Sequence, residues 1–183
     1  FDSYLKTIIK QIKQIENLVN EFSDFARMPK PIFKNNKIVE IIKNNISLLK
    51  EIDKSISIKL DYKKEDIILN CDGEQISRVV FNLIKNSIES IQEKFIKNGQ
   101  FTKIIDIEII EKNDYITLNL TDNGTGFSTE NIKNITKPYY TTKPKGSGLG
   151  LSIVNKIIND HNGSIKFNSK KDGAKVEILL PKK

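Results

Sequence analysis

The chain has 183 residues, of which 38% are hydrophobic, and it carries a formal net charge of +7. This length suits one domain with its own core plus an additional helix. The single cysteine, Cys71, excludes an internal disulfide, and one cysteine with one histidine cannot form a zinc site. No apolar run is long enough to span a bilayer. The chain begins with Phe1 and shows no signal peptide, so we expect it to be a piece of a longer protein.

The excess of basic residues does not indicate a protein that binds nucleic acid. Only Arg27 and Arg78 are arginines among the 30 basic residues, and the lysines are spread along the chain instead of forming one patch. The abundance of Ile, Lys and Asn is typical of an AT-rich genome. We therefore expect solvated lysines and no nucleic-acid partner.

An amphipathic pattern occupies the N-terminal part of the chain. Its apolar residues alternate at spacings of three and four, which is typical of a helix with one long seam: Leu5, Ile8, Ile12, Ile15, Val19, Phe22 and Ala26. Pro29 and Pro31 cannot continue this helix. A seam of this kind requires a partner helix, so we expect the chain to self-associate weakly.

The rest of the chain alternates between helical and strand patterns. Apolar spacing predicts three helices, over residues 36–52, 74–97 and 148–161. Alternating side chains predict six strands, over residues 56–60, 67–71, 104–110, 115–120, 164–167 and 174–180. Asp72 is a plausible N-cap, and residues 127–147 have the composition of a mobile loop. The predicted fold class is α+β, a mixed sheet with helices on one face in two layers, preceded by the long helix.

Two glycine turns are the most informative feature of the sequence. The first, Asp122-Asn-Gly-Thr-Gly126, carries a carboxylate that can accept a hydrogen bond from an amino group such as that of adenine. The second, Gly146-Ser-Gly-Leu-Gly150, runs into a predicted helix whose free N–H groups form a site for phosphate. Either turn alone could be an ordinary loop. Together they suggest a nucleotide held at its base by one turn and at its phosphates by the other.

A polar stripe on the predicted 74–97 helix is the third element. Asn82, Asn86 and Glu89 are spaced so that they share one face of the helix. Two asparagines are unfavourable inside a helix, because their amides compete for backbone hydrogen bonds. Amide and carboxylate oxygens on one stripe suit a hard cation or ordered water beside phosphates. A solvated polar edge is the alternative.

In this order the three elements resemble the N box, G1 box and G2 box of the histidine-kinase catalytic domain, a member of the GHKL (Bergerat) ATP-binding superfamily. Between the two turns, Lys137-Pro-Tyr-Tyr-Thr-Thr-Lys143 resembles the F box of the ATP lid. The run from Glu21 to Pro31 looks closest to the NtrY-type nitrogen-regulation sensor kinases. The resemblance implies that residues 1–28 are the second helix of a dimerisation and phosphoacceptor hairpin, and that residues 29–183 are the catalytic domain.

The resemblance also implies a role for each residue of the motifs. Asp122 would accept the adenine amino group, and Asn86 would hold the Mg²⁺ that bridges the phosphates of ATP. Asn82 and Glu89 would support phosphate, metal or water on the same stripe. The backbone would approach the nucleotide closely at the two turns, at Gly124, Gly126, Gly146, Gly148, Leu149 and Gly150.

The resemblance also assigns a role to two lid lysines, and the sequence departs from the family at two serines and in lacking a phosphoacceptor histidine. Lys143 and Lys145 would neutralise phosphate charge. Ser87 and Ser90 stand where the family often has alanine, a change expected to matter little. The only histidine, His161, is expected to cap a helix or pack in the core. The phosphoacceptor histidine would therefore lie outside this chain, which should bind ATP without phosphorylating itself.

By resemblance, the function is transfer of the γ-phosphoryl group of ATP to that histidine and onward to an aspartate of a response regulator, expected to be NtrX-like. The parent protein would be a homodimer at the inner membrane, with this portion in the cytoplasm. A competing hypothesis is a GHKL ATPase, in which a glutamate four residues before the metal-binding asparagine activates water. That position here is Asn82, which cannot act as a base. An anti-sigma-factor-type serine kinase and a non-catalytic nucleotide-gated module are also compatible with these motifs.

Overall fold

The computed structural model describes residues 2–128, 132–143 and 146–182. Within these ranges the helices are α1 (Asp2–Ala26), α2 (Ile38–Lys50), α3 (Gly73–Asn98) and α4 (Gly150–Asp160). The strands are β1 (Lys34–Lys37), β2 (Ser57–Tyr62), β3 (Ile68–Cys71), β4 (Ile104–Glu111), β5 (Tyr115–Asp122), β6 (Ser164–Lys170) and β7 (Gly173–Pro181).

The main sheet has five strands in the order β2-β4-β5-β7-β6. The β2–β4 pair is parallel and the other pairs are antiparallel, so the sheet is mixed. Alternate side chains of β4, β5 and β7 are buried, as expected for a sheet with one face against a core. They join buried residues of α2, α3 and α4 in one hydrophobic cluster. The predicted α+β two-layer fold is confirmed.

A separate two-stranded sheet was not predicted. β1 pairs antiparallel with β3, and α2 begins only at Ile38, after this strand. The Asn36 amide donates hydrogen bonds to the carbonyl oxygens of Lys34 and Cys71, at 2.9 and 2.8 Å. The β1 sequence is polar and has low intrinsic strand propensity, so its conformation depends on pairing with β3.

Asp72 fixes the start of α3, the long helix that carries the polar stripe. Its Oδ1 accepts hydrogen bonds from the backbone N–H groups of Glu74 and Gln75, both at 3.1 Å, which confirms the predicted N-cap. Its Oδ2 accepts from the N–H of Ile32 at 2.9 Å. The Cys71 thiol next to it is fully buried, and burial raises its pKa to about 11. Cys71 is therefore a small core residue, as the sequence predicted.

The seam of α1 faces solvent. Its large apolar side chains are between 45% and 59% exposed at Leu5, Ile8, Ile12, Ile15, Val19 and Phe22. Among the described side chains of this segment, Phe25 at the end of the helix and Met28 after it pack against the core. No helix in the described part of the chain has the length and apolar character needed to cross a membrane.

Candidate nucleotide site

Asp122 lies at the end of β5 and is buried, with 5% of its surface exposed. Its Oδ1 accepts a hydrogen bond from the Gly124 N–H at 2.9 Å, and its Oδ2 accepts one from the Ser87 hydroxyl at 2.8 Å. Burial raises the pKa of this carboxyl. Hydrogen bonds from the Gly124 N–H, the Ser87 hydroxyl and the Ala174 N–H, together with the charge of Lys143, partly oppose that rise. A buried carboxylate held from two sides is a preorganised hydrogen-bond acceptor.

The first glycine turn packs directly on α3. A Cβ on Gly124 would overlap the Ser90 hydroxyl and lie 2.8 Å from the Ser90 backbone carbon, so only glycine fits. The Ser90 Oγ accepts a hydrogen bond from the Thr125 N–H at 2.9 Å. Ser87 and Ser90 therefore attach the turn to the helix. Each serine supplies a hydrogen bond that alanine, the residue often found there in the family, cannot make.

On the far side of this turn, Gly126 has a positive φ of 75° and approaches the backbone of Gly173, the first residue of β7. A Cβ on Gly173 would in turn overlap the carbonyl oxygen of Asp122. The Lys171-Asp-Gly173 segment predicted a hairpin from the sequence. Nothing in that pattern indicated that its glycine also supports the position of Asp122.

The polar stripe of α3 converges on a lid lysine. The Lys143 Nζ lies 2.5 Å from Glu89 Oε2 and 3.4 Å from Asn86 Oδ1. An ammonium group at this point shows that the amide and carboxylate oxygens can share one cation. Among the described residues, no three His, Cys, Asp or Glu side chains form a metal cluster. The donor set suits Mg²⁺, which proteins often hold through one or two side chains together with substrate phosphates.

Asn82 lies one turn earlier on the same stripe. Its Nδ2 donates to the Arg78 carbonyl oxygen at 2.8 Å, and its Oδ1 would lie 3.2 Å from a Cβ on Gly150. Asn82 is thus next to the N-terminus of α4. The N-cap residue of α4, Leu149, makes no side-chain capping hydrogen bond, and the first turn has no acidic residue. The Ser147 hydroxyl accepts a hydrogen bond from the Leu149 N–H at 3.3 Å. Free N–H groups at a helix start favour an anion such as phosphate.

The second glycine turn contributes backbone, not side chains, to the site. Leu149 was predicted to contact the nucleotide, but its side chain is 1% exposed and lies in the core, so only its backbone can do so. Gly148 has a positive φ of 71°, and a Cβ there would lie 2.5 Å from the Tyr139 backbone. A Cβ on Gly146 would lie 2.6 Å from the Thr141 hydroxyl. The glycines therefore bring the turn against the lid.

The lid, residues 127–147, is irregular over its described part. Tyr139 has a positive φ of 66°, is 59% exposed, and stacks on Phe22 of α1 with ring centroids 6.4 Å apart. Ile135 is the lid residue that is buried among the described ones. Lys145, which the sequence also assigned to phosphate neutralisation, lies outside the described residues.

His161 has a structural position, as predicted. It is 3% exposed at the end of α4, and its Nε2 accepts a hydrogen bond from the Asp72 N–H at 3.0 Å. The Nδ1 therefore carries the proton and donates to the Ile157 carbonyl oxygen at 2.8 Å. Both ring nitrogens are engaged and buried, so neither is available to accept a phosphoryl group.

Comparison with known proteins agrees with this geometry. The chain is 37% identical over 179 residues to a putative sensor histidine kinase, NtrY-like, from Rickettsia conorii. The match covers 97% of this chain but 29% of that relative. The chain therefore spans less than a third of the length of the relative it matches.

Solved structures share the fold. The catalytic domain of the histidine kinase ThkA superposes with a TM-score of 0.73 at 27% identity, over 82% of this chain and 96% of that one. The structure of ThkA in complex with the response regulator TrrA gives a TM-score of 0.79 at 24% identity, over 98% of this chain and 51% of that one. The family described as histidine kinase-, DNA gyrase B-, and HSP90-like ATPase matches residues 71–183. The chain belongs to this family, and its fold is that of the histidine-kinase catalytic domain.

Proposed function

We propose that this chain is the ATP-binding portion of a sensor histidine kinase. In this proposal it positions ATP so that the γ-phosphoryl group passes to a histidine outside the chain and then to an aspartate of a response regulator. The observation that carries the proposal is the arrangement around α3. Three groups adjoin this helix: a buried acceptor at Asp122, a cation position at Asn86 and Glu89, and the N-terminus of α4.

Each group has a distinct task in binding. The Asp122 carboxylate accepts the adenine amino group, and the N–H groups at the start of α4 hold phosphate oxygens. Gly146, Gly148 and Gly150 leave room for this approach, since side chains there would meet the lid or Asn82. Lys143 brings positive charge from the lid to the same end of the nucleotide. Phosphoryl transfer needs positioning and charge neutralisation more than covalent help from the protein.

Mg²⁺ would be held through the Asn86 amide oxygen, with Glu89 in support. When bound, the metal neutralises phosphate charge and orients the γ-phosphoryl group. The Asn82 side chain has its amide nitrogen engaged by the Arg78 carbonyl, which leaves its oxygen toward the start of α4. An amide cannot act as a general base for water, so the arrangement favours transfer over ATP hydrolysis.

The exposed seam of α1 supports a role in assembly. We propose that residues 1–28 are one helix of a dimerisation hairpin and that residues 29–183 are the catalytic domain, with the parent protein a homodimer. The response regulator would be NtrX-like, by analogy with the NtrY-like relative. ThkA, which has the same fold as this chain, has been solved in complex with its response regulator TrrA. The parent would be a sensor at the inner membrane, with this portion in the cytoplasm.

A calorimetric titration with ATP, with and without Mg²⁺, tests the proposal. Asp122→Asn should weaken binding in both conditions, and Asn86→Ala should remove the difference between them. Asn113→Ala, in the exposed β4–β5 turn, is the matched control and should bind as the unmodified chain does. Failure of the folded, unmodified chain to bind ATP in either condition would contradict the proposal and favour a module without catalytic function.

A further inference from the structure

We propose that Ser87 is a specificity-determining residue of the nucleotide site. Its hydroxyl fixes the Asp122 carboxylate so that the site accepts a purine with an amino group at position 6 and rejects one with a keto group. The inference rests on the proposed function, since it assigns the base that the same site takes. Ser87 is adjacent to Asn86 on α3 and is 4% exposed.

The hydrogen bonds define the orientation of the carboxylate. The Gly124 N–H holds one oxygen from within the turn, and the Ser87 hydroxyl holds the other from α3. The terminal torsion of an aspartate is broad, so the orientation of the carboxylate plane depends on its donors. Gly124 and Ser87 hold opposite oxygens, and the Ala174 N–H of β7 adds a further hydrogen bond. Ser87 supplies the side-chain donor from α3, and the carboxylate keeps acceptor capacity for the ligand.

The direction of the Ser87 hydrogen bond determines which base fits. An ionised carboxylate only accepts hydrogen bonds, so the serine proton must point at Asp122. The serine then cannot turn to donate to a ligand, and its remaining lone pairs add to those of Asp122. The result is an edge made only of acceptors. An amino group at purine position 6 donates to such an edge, whereas a keto oxygen meets acceptors and leaves a buried polar group unpaired.

Ser90 provides a matched control on the same helix. It lies three residues after Ser87, and its hydroxyl also supports the first glycine turn. Its partners, however, are the N–H and hydroxyl of Thr125, at 2.9 and 3.1 Å, and not Asp122. Removal of the Ser90 hydroxyl shows the effect of losing a hydrogen bond between α3 and the turn. Removal of the Ser87 hydroxyl shows the effect of losing the hydrogen bond that orients the Asp122 carboxylate.

The experiment compares Ser87→Ala and Ser90→Ala with the unmodified chain by calorimetry. The ligands are ATP, inosine triphosphate, which has a keto group at position 6, and purine riboside triphosphate, which has only hydrogen there. We expect the unmodified chain to prefer ATP over both. Ser87→Ala should reduce that preference by about tenfold, with the affinity for purine riboside triphosphate unchanged. Ser90→Ala should retain the preference.

A measurement without nucleotide separates this inference from the proposed function. The ¹³C resonance of the Asp122 carboxyl, followed against pH, should show a higher midpoint in Ser87→Ala, because the serine hydrogen bond favours the ionised form. Ser90→Ala should leave the midpoint unchanged. An unchanged midpoint in Ser87→Ala, or equal loss of all three nucleotides, would overturn the role of Ser87 alone. If the unmodified chain binds no nucleotide, the proposed function and this inference both fail.

Discussion

The Lys143 ammonium of the lid lies 2.5 Å from Glu89 Oε2 of α3, although 54 residues separate the two in sequence. The same ammonium lies 3.4 Å from Asn86 Oδ1, the oxygen proposed to hold Mg²⁺. One point next to α3 therefore suits either a lysine or a divalent cation. A lysine and a metal that use the same oxygens compete for them, which makes the metal dependence of binding sensitive to Lys143.

Lys143→Met should make the site easier for Mg²⁺ to occupy. The change removes the competing ammonium but retains the length of the side chain. The Lys143–Glu89 pair is about one-third exposed, and pairs of this kind contribute up to ~1 kcal/mol. We expect the Mg²⁺ concentration for half-maximal ATP binding to fall up to about fivefold, and metal-free ATP binding to weaken. Lys156→Met, which removes an ion pair with Asp160 on α4, should leave the metal dependence as it is.

Asp122→Asn should stabilise the fold at neutral pH while it impairs nucleotide binding. The pKa of Asp122 is raised by burial, so the folded state disfavours the ionised form. That destabilisation is complete above the folded-state pKa and disappears below the unfolded-state pKa. The amide can still accept from Gly124 and can donate to Ser87. Urea unfolding should show a stability gain at pH 7 that shrinks on acidification, and a variant less stable than the parent at pH 7 would contradict this reasoning.

On acidification, ATP affinity should begin to fall at a higher pH than expected for a site with a solvent-exposed aspartate. Only the ionised Asp122 offers acceptors on both oxygens, and its raised pKa means that it is protonated at a higher pH than a solvent-exposed aspartate. Calorimetric titrations over a descending pH series can follow this loss. The Asp122→Asn variant should bind ATP more weakly, and its affinity should not show this fall with decreasing pH. If parent and variant show identical pH profiles, the loss of affinity must come from another group.

Asp53 and Lys103 should form a stabilising pair away from the site. Their side chains are 14% and 12% exposed and 3.1 Å apart, and Asp53 also accepts from Gln92 of α3. Hydrogen bonds from Ser55, then from Lys103 and Gln92, hold the pKa of Asp53 well below its usual range. Asp53→Asn should therefore cost about 2 kcal/mol of unfolding free energy at neutral pH. Because the folded-state pKa of Asp53 is depressed, this stabilisation is fully present at pH values above the unfolded-state pKa. It is lost as pH falls through the folded-state pKa.

A double-mutant cycle tests the coupling of this pair. Lys103→Met in the Asp53→Asn background should cost less than in the parent, because the lysine no longer has a buried partner to lose. Asp66→Asn, which removes the exposed Lys37–Asp66 pair, should cause no measurable change in stability. Additive effects at Asp53 and Lys103 would show that the two side chains do not interact energetically.

His161→Phe should lower stability and leave ATP binding intact. The ring keeps much of the packing against Phe33, whose centroid lies 5.1 Å from that of the imidazole. The Asp72 N–H and the Ile157 carbonyl each lose a partner, which we expect to cost about 1–3 kcal/mol. Thermal unfolding and an ATP titration measure the two effects separately. Loss of ATP binding at unchanged stability would assign His161 to the site instead.

The sequence predicted the parts of the fold and site that depend on local pattern. Helical spacing predicted α3, alternation predicted the strands of the main sheet, and the glycine turns indicated where the backbone can approach a ligand closely. β1 was missed because its polar sequence becomes a strand only through pairing with β3. The contributions of Ser87 and Ser90 were missed because their partners, Asp122 and Thr125, are 35 residues away in sequence. Which residue of the first glycine turn each hydroxyl meets is decided by the packing of α3 on the turn and not by local composition.

Some of the lysines that are spread along the chain lie on the edge strands of the main sheet. β2 and β6 each have one neighbour in the sheet, so each has a row of backbone groups that another molecule could extend. Exposed charges stand on both strands, at Lys59, Asp61, Lys166 and Lys170. Such charges oppose edge-to-edge pairing, and the net charge of +7 adds repulsion between molecules. We therefore expect the lysines on the edge strands to oppose aggregation of the sheet.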